Sequence, residues 1–121
     1  MNLFTAPEVI KNYAAAGKKK TELSVFRMLV LGILAGMFIA LGAAVTNTAA
    51  HTIADVSTAR IICGLLFPAG LSLVILMGGE LFTGNCLISI SVLEKETTTG
   101  MMLKNWLFVY IGNFIGSIIV A

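Results

Sequence analysis

Long apolar segments separated by short polar ones make up most of the chain. The first apolar segment runs from Met28 to about Thr46, the second begins at Ile61, and the third follows Lys104. A helix of about 20 apolar residues crosses the hydrocarbon core of a bilayer, which is roughly 30 Å thick. The pattern therefore predicts three membrane-spanning helices.

The second apolar segment is too long for one straight crossing. Glu80 is the only charged residue among residues 61–93, and a helix of this length would extend roughly 50 Å. Gly78 and Gly79 tolerate positive φ and carry no side chain, so they mark the place where the helix breaks most easily. The sequence predicts a helix broken here, with a short half-helix over residues 86–93.

A break at membrane depth leaves backbone amides and carbonyls without partners inside the helix. Each such group costs several kcal/mol unless protein or a water-lined cavity satisfies it. Many transporters place substrate sites at discontinuous helices, because the freed helix ends carry partial charges. Pro68 and Gly70 interrupt the same segment further. We therefore expect the break to line a polar pathway.

The N-terminal region is predicted to form a short amphipathic helix. Residues 5–8, Thr-Ala-Pro-Glu, have the spacing of a capping box with a proline in the first turn. The helix is predicted to end at Gly17 and to lie on the membrane surface. Its apolar side carries Val9, Ile10, Tyr13 and Ala14.

Basic residues cluster just ahead of the first span, at Lys18, Lys19, Lys20 and Arg27. Such an excess is typical of the cytoplasmic side of a membrane, although the lysines fit a solvated linker equally well. We therefore divide the chain into a cytoplasmic segment, residues 1–27, and a transmembrane segment, residues 28–121. Residues 46–60 are then an external loop or helix end, and the C-terminal end lies toward the outside.

Composition agrees with a membrane protein. The chain of 121 residues is 58% hydrophobic and 12% charged, with a mean hydropathy of +0.97. Three spans are too few to enclose a pore, so we expect a piece of something larger. The small net charge of +2 makes nucleic acid a poor partner, and no cleavable signal peptide is evident.

Neither a metal site nor a cofactor is predicted. His51 is the only histidine, so no zinc-type cluster can be assembled, and it is interpreted as a surface or capping residue. Cys63 and Cys86 fall inside apolar segments, where thiols are usually buried and unreactive.

Small residues recur every fourth position in two of the spans, which is typical of closely packed membrane helices. They are Gly32, Gly36, Ala40 and Ala44 in the first span, and Gly112 and Gly116 in the third. Asn113 is a polar side chain that needs a partner in the bundle. Trp106 and Tyr110 suit the membrane interface.

Two polar residues near the break are candidates for chemistry. An acidic residue near a helix centre costs about 2.5 to 3.5 kcal/mol on insertion. Glu80 either caps backbone amides freed by the break, which we favour, or faces the permeant species. The Thr83 hydroxyl can contact an ion without adding charge.

Phe67 and Leu71 stand one helical turn apart. Such a pair ordinarily faces lipid or core. The alternative is a hydrophobic constriction, which favours species that cross as neutral acids.

The motif Gly-Gly-Glu-Leu-Phe-Thr-Gly-Asn at residues 78–85, followed by Lys-Asn-Trp at 104–106 and Gly-Asn at 112–113, resembles the formate/nitrite transporter family. The resemblance covers nearly the whole chain. It implies an all-α, aquaporin-like fold of six spans in two inverted repeats, with the second and fifth helices broken. It also implies a homopentamer with one pore per protomer. Residues 28–121 would form the first repeat, so the chain is interpreted as the N-terminal half.

The resemblance also implies site residues. Phe67 would form an outer pore constriction, and Leu71 and Leu81 an inner one. Thr83 would hydrogen-bond the family's central histidine on the fifth helix, which has no counterpart here because His51 lies elsewhere. The remaining pore-loop residues are Gly79, Glu80, Phe82 and Asn85.

The implied activity is transport and not catalysis. The family moves small monovalent anions such as formate, nitrite, hydrosulfide and lactate across the inner (plasma) membrane by a proposed proton-assisted passage. Two alternatives are an aquaporin-type channel for neutral solutes and a membrane-anchor subunit of a respiratory enzyme. Haem anchoring usually needs paired histidines, whereas this sequence contains one.

Overall fold

The computed structural model describes residues 3–121, so residues 1 and 2 of the predicted N-terminal segment lie outside the described residues. Within the described range the regular structure is all helical. The helices are α1 (Ala6–Thr21), α2 (Val25–Ala50), α3 (Val56–Leu66), α4 (Pro68–Leu76), α5 (Phe82–Asn85), α6 (Ile88–Leu93) and α7 (Thr99–Val120).

Three helical stretches are long and apolar enough to cross a membrane, as predicted. They are Val25–Ala50, Val56–Leu76 and Thr99–Val120. The middle stretch joins α3 and α4 through Phe67 alone, which has helical φ and ψ of −55° and −38°. The chain is therefore an all-α, multi-pass membrane protein.

Residues 46–50 of the segment predicted as an external loop or helix end form the end of the first helix. The first span continues to Ala50, because the hydroxyls of Thr46 and Thr48 donate to carbonyls four residues earlier at 2.7 and 2.8 Å. These polar side chains are therefore satisfied within the helix and do not end it. The Asp55 carboxylate caps α3 by accepting the Thr58 N–H at 2.6 Å. The hydroxyl of Thr58, and then that backbone bond, lower the pKa of Asp55.

The first helix starts at the predicted capping box but does not end at Gly17. The Thr5 N–H donates to the Glu8 carboxylate at 2.7 Å, which lowers the pKa of Glu8. Gly17 lies buried in the middle of α1, and a Cβ there would overlap the side chain of Ser91 on α6. This glycine therefore permits a close helix contact instead of terminating the helix. The position of α1 relative to a membrane stays a prediction.

The helices α2 and α7 pack with their backbones almost in contact. A Cβ on Gly112 would lie 2.8 Å from the Leu29 carbonyl oxygen, and one on Gly116 would overlap the Ile33 carbonyl. The predicted small-residue packing is therefore confirmed for the glycines of this interface. Ala40 and Ala44 instead line an open cavity of about 500 Å³ between the ends of the two helices.

The second apolar segment is broken as predicted. The chain leaves the helix after Leu76, and Gly78 adopts a positive φ of 68°. Helix resumes at Phe82, so the predicted start of the half-helix at Cys86 is wrong. The first amide of α5, that of Phe82, donates to the Asn113 side chain, and this external acceptor allows the helix to start earlier.

Candidate functional site

The side chain of Asn113 satisfies the backbone of the break from α7. Its Oδ1 accepts the Phe82 N–H at 2.8 Å, and its Nδ2 donates to the carbonyls of Gly32 and Glu80, also at 2.8 Å each. The Glu80 N–H donates to the Leu31 carbonyl on α2 at 3.1 Å. The expectation that Asn113 has a partner in the bundle is confirmed.

Glu80 is buried, at 6% exposure, and its carboxylate is paired with a cation. Lys20 Nζ donates to both carboxylate oxygens, at 2.9 and 3.0 Å, and to Asn85 Oδ1 at 3.1 Å. Asn85 Nδ2 donates to the same carboxylate at 2.7 Å. Within residues 3–121 these partners are side chains, so the expectation that Glu80 caps freed backbone amides is wrong. A lysine from the basic cluster ahead of the first span holds it instead.

Two residues of α7 extend this polar network. The buried Asn85 donates to Asn105 Oδ1 at 2.8 Å, and Asn105 Nδ2 donates to the Lys20 carbonyl at 3.0 Å. The indole N–H of Trp106 donates to the Asn85 carbonyl at 2.8 Å. The network therefore ties α1, the break and α7 together. The Trp106 N–H is therefore hydrogen-bonded within the protein. Its predicted position at the membrane interface stays a prediction.

Phe82 packs against the aromatic residues of α7. Its ring stands edge to face with Trp106 at a centroid distance of 6.0 Å and with Tyr110 at 5.4 Å. Such pairs contribute about 0.5 to 1.5 kcal/mol beyond the area they bury. Phe82 therefore anchors the start of α5 to the bundle.

An open cavity of about 490 Å³ lies between α1, α4 and the break, and we call it the break cavity. Of the site residues predicted from the sequence, Leu71, Gly79, Glu80, Leu81, Thr83 and Asn85 line it. Phe67 and Phe82 are not among its lining residues. The structure thus brings six of the eight together at one place.

Thr83 and Leu71 present exposed side chains at this cavity. Thr83 makes no side-chain hydrogen bond to another described residue, so its hydroxyl is free to donate or accept. Leu71 is 43% exposed, and Phe67, one turn earlier, is 44% exposed. Their roles in a pore stay predictions.

Six lining residues of the break cavity were missed as site residues. Four lie on α4 or in the break, at Val74, Ile75, Gly78 and Gly84, and the other two come from α1. Lys20 and Tyr13 stand seven residues apart and so share one face of the helix. The Tyr13 hydroxyl donates to the Gly84 carbonyl at 3.3 Å. Desolvation, and then the negative charge of Glu80, raise the pKa of Tyr13. The seven-residue spacing was visible in the sequence, but nothing there linked this face to the break.

His51 and the two cysteines play no part in this network. His51 is the C-cap residue of α2, and its Nδ1 lies 2.7 Å from the Thr48 carbonyl. This placement confirms the interpretation of His51 as a capping residue. Cys63 and Cys86 are free thiols. No group of three or more metal-ligating side chains occurs in the part of the chain that the structure describes.

Comparison with known proteins gives a match over almost the whole chain. The model of the formate/nitrite transporter family matches residues 7–121. This chain belongs to the formate/nitrite transporter family. The resemblance seen at residues 78–85 is thereby confirmed.

Curated relatives are similar over nearly all of this chain. It is 37% identical to the formate channel BtFdhC of Bacillus thuringiensis, over 98% of this chain and 47% of that protein. It is 32% identical to a probable formate transporter of Methanothermobacter thermautotrophicus, over 98% and 45% respectively. It is 32% identical to the formate channel FocA of Escherichia coli, over 86% of this chain and 37% of that protein. The chain thus spans less than half the length of these relatives.

Proposed function

We propose that residues 28–121 form the first of two inverted repeats in an aquaporin-like, six-span channel for small monovalent weak-acid anions. Formate, nitrite and hydrosulfide are the proposed substrates. The channel is a homopentamer in the inner (plasma) membrane, and residues 1–27 lie on its cytoplasmic side. The observation that carries this proposal is a broken second span whose loop lines an open cavity. The greater length of the curated relatives supports a second repeat that closes the cavity's open side.

The charges around the break cavity suit an anion. An isolated Glu80 carboxylate would repel it, but Lys20 neutralises that charge at 2.9 Å. Thr83 contributes a neutral hydroxyl. The break therefore offers hydrogen-bonding groups without a net negative charge.

The apolar residues suit passage as a neutral acid. Leu71 and Leu81, with Phe67 further out, would form constrictions at which an ion must shed water. Protonation of the weak-acid anion removes most of that cost. The proton would come from a donor on the second repeat, next to Thr83.

Uptake of labelled formate into proteoliposomes tests the proposal, using the full-length protein that carries this chain. Uptake above that of empty liposomes, steeper at acidic than at neutral pH, is the expected result. Absence of formate uptake at either pH contradicts the proposal. Water or glycerol flux that does not depend on pH would favour the neutral-solute channel instead.

The variant Thr83→Val tests the pore role of the hydroxyl. Loss of one hydrogen bond to the passing anion or its proton donor should reduce formate uptake roughly tenfold. Thr83→Ser keeps the hydroxyl and is the matched control, expected to retain most of the uptake. Size-exclusion chromatography checks that both variants assemble. Unchanged uptake in Thr83→Val would remove this residue from the pore.

A further inference from the structure

Tyr13 connects two walls of the break cavity. It projects from α1, and its hydroxyl donates to the Gly84 carbonyl of α5 at 3.3 Å. Both residues line the cavity, as does Lys20 two turns further along α1. The phenol therefore lies between α1 and the break.

Gly78 and Gly84, two of the break residues that line the cavity with Tyr13, have no side chain. A Cβ built on Gly84 would meet no atom within 4 Å, and the same is true of Gly78. Opposite these two glycines, the phenol ring is therefore the bulky group of the cavity wall.

The hydroxyl of Tyr13 stays protonated at neutral pH. Desolvation and the charge of Glu80 raise its pKa above the ordinary value of 10.0. Tyr13 thus adds a bulky ring to the cavity without adding a charge that would repel an anion.

We propose that Tyr13 sets the upper size limit for anions in the break cavity, with its ring as a bar that the hydrogen bond to Gly84 holds in place. This inference rests on the proposed function. Small anions such as formate pass beside the ring, whereas larger monocarboxylates such as lactate are hindered by it. Tyr13 is therefore a residue that determines specificity.

The test compares labelled lactate and formate uptake in proteoliposomes of the full-length protein and its Tyr13 variants. Tyr13→Ala should raise the ratio of lactate to formate uptake roughly tenfold, the scale on which a pocket discriminates a small added group. Tyr13→Trp should lower that ratio. Tyr13→Phe keeps the ring but not the tether, and should give a smaller rise than Tyr13→Ala.

Val9→Ala is the matched control, because Val9 is an exposed α1 residue that does not line the cavity. It should leave the ratio unchanged. If Tyr13→Ala does not insert, Tyr13→Trp alone decides, since an unchanged ratio there overturns the proposal. Ratios that are equal across all Tyr13 variants, with normal formate uptake, overturn the size limit but not the transport function. Absence of formate uptake by the unaltered protein overturns the proposed function itself.

Discussion

The second apolar segment is interrupted twice, and the two interruptions differ in kind. Before Pro68, one residue, Phe67, separates α3 from α4, and its backbone angles are still helical. At Gly78 and Gly79 the chain leaves the helix for several residues and one of them takes a positive φ. The helical stretch therefore continues past the proline, whereas it ends at the glycines.

The difference lies in where the lost hydrogen bonds are replaced. Beside the proline the repair is local, since the Gly70 N–H donates to the Phe67 carbonyl at 3.1 Å. At the glycine break, the Glu80 and Phe82 amides depend on acceptors from α2 and α7. A proline at the first position of a helix needs no outside support. The glycine break instead depends on acceptors from two other helices.

The largest expected effect is that of Asn113→Ala, which removes the support of the break from α7. It leaves the Phe82 N–H and two carbonyls without their partner, at about 1 to 3 kcal/mol for each buried group. We expect a loss of more than about 3 kcal/mol in unfolding free energy. The midpoint of thermal unfolding in detergent measures this.

The matched control is Asn47→Ala, at an exposed position near the end of α2. It should leave the unfolding midpoint almost unchanged. Equal effects of the two substitutions would show that the break does not depend on Asn113.

The next effect is that of Lys20→Met, which leaves the buried Glu80 carboxylate with Asn85 alone. Removing one partner of a fully buried pair costs about 3 to 5 kcal/mol. The Lys20 side chain is 31% exposed, so water compensates in part and we expect about 2 kcal/mol. The double variant with Glu80→Gln should recover part of that loss, as a double-mutant cycle measures. Strictly additive losses would argue against the pair.

A smaller effect is expected for Gly78→Ala, because Gly78 has a φ of 68°. An alanine in the left-handed region costs about 1 to 2 kcal/mol. Gly64→Ala is the matched control, since it lies within α3 and a Cβ there meets nothing within 4 Å. It should stabilise slightly. A gain in unfolding midpoint for Gly78→Ala would show that the positive φ is not required.

The smallest effect is expected for Pro68→Ala. Proline at the first position of α4 sacrifices a donor that would have no helical partner there, so its removal should change stability by less than about 0.5 kcal/mol. Far-ultraviolet circular dichroism and thermal unfolding should both match the unaltered protein. A gain near 3 kcal/mol would instead place Pro68 inside a strained helix and remove the contrast with the glycine break.

Local features of this molecule could be predicted from the sequence, and distant pairings could not. Gly78, Gly79 and the lone Glu80 mark the break by themselves. Glycines at every fourth position predict a close helix contact, although not which helix is the partner. Lys20, by contrast, stands in a run of three lysines that look alike, and its partner lies 60 residues away. Only the packing of α1 against the bundle distinguishes it.

Helix ends were the weakest predictions for a related reason. Glycine commonly ends helices, but at Gly17 the absence of a side chain leaves room for Ser91 from α6. Thr46 resembles a loop residue, but its hydroxyl is satisfied by its own helix. In both cases the deciding contact involves a group that single-residue preferences do not consider.

The reach of Asn113 has a consequence for biosynthesis. Phe82 emerges from the ribosome 31 residues before the side chain that accepts its amide proton. Chains are made from the N-terminus at about 5 to 20 residues per second, so the growing polypeptide passes through a stage in which the break exists and its support does not. During that interval lipid cannot solvate the open backbone. We therefore expect this segment to stay in a hydrated environment at the translocon until the third span has been synthesised.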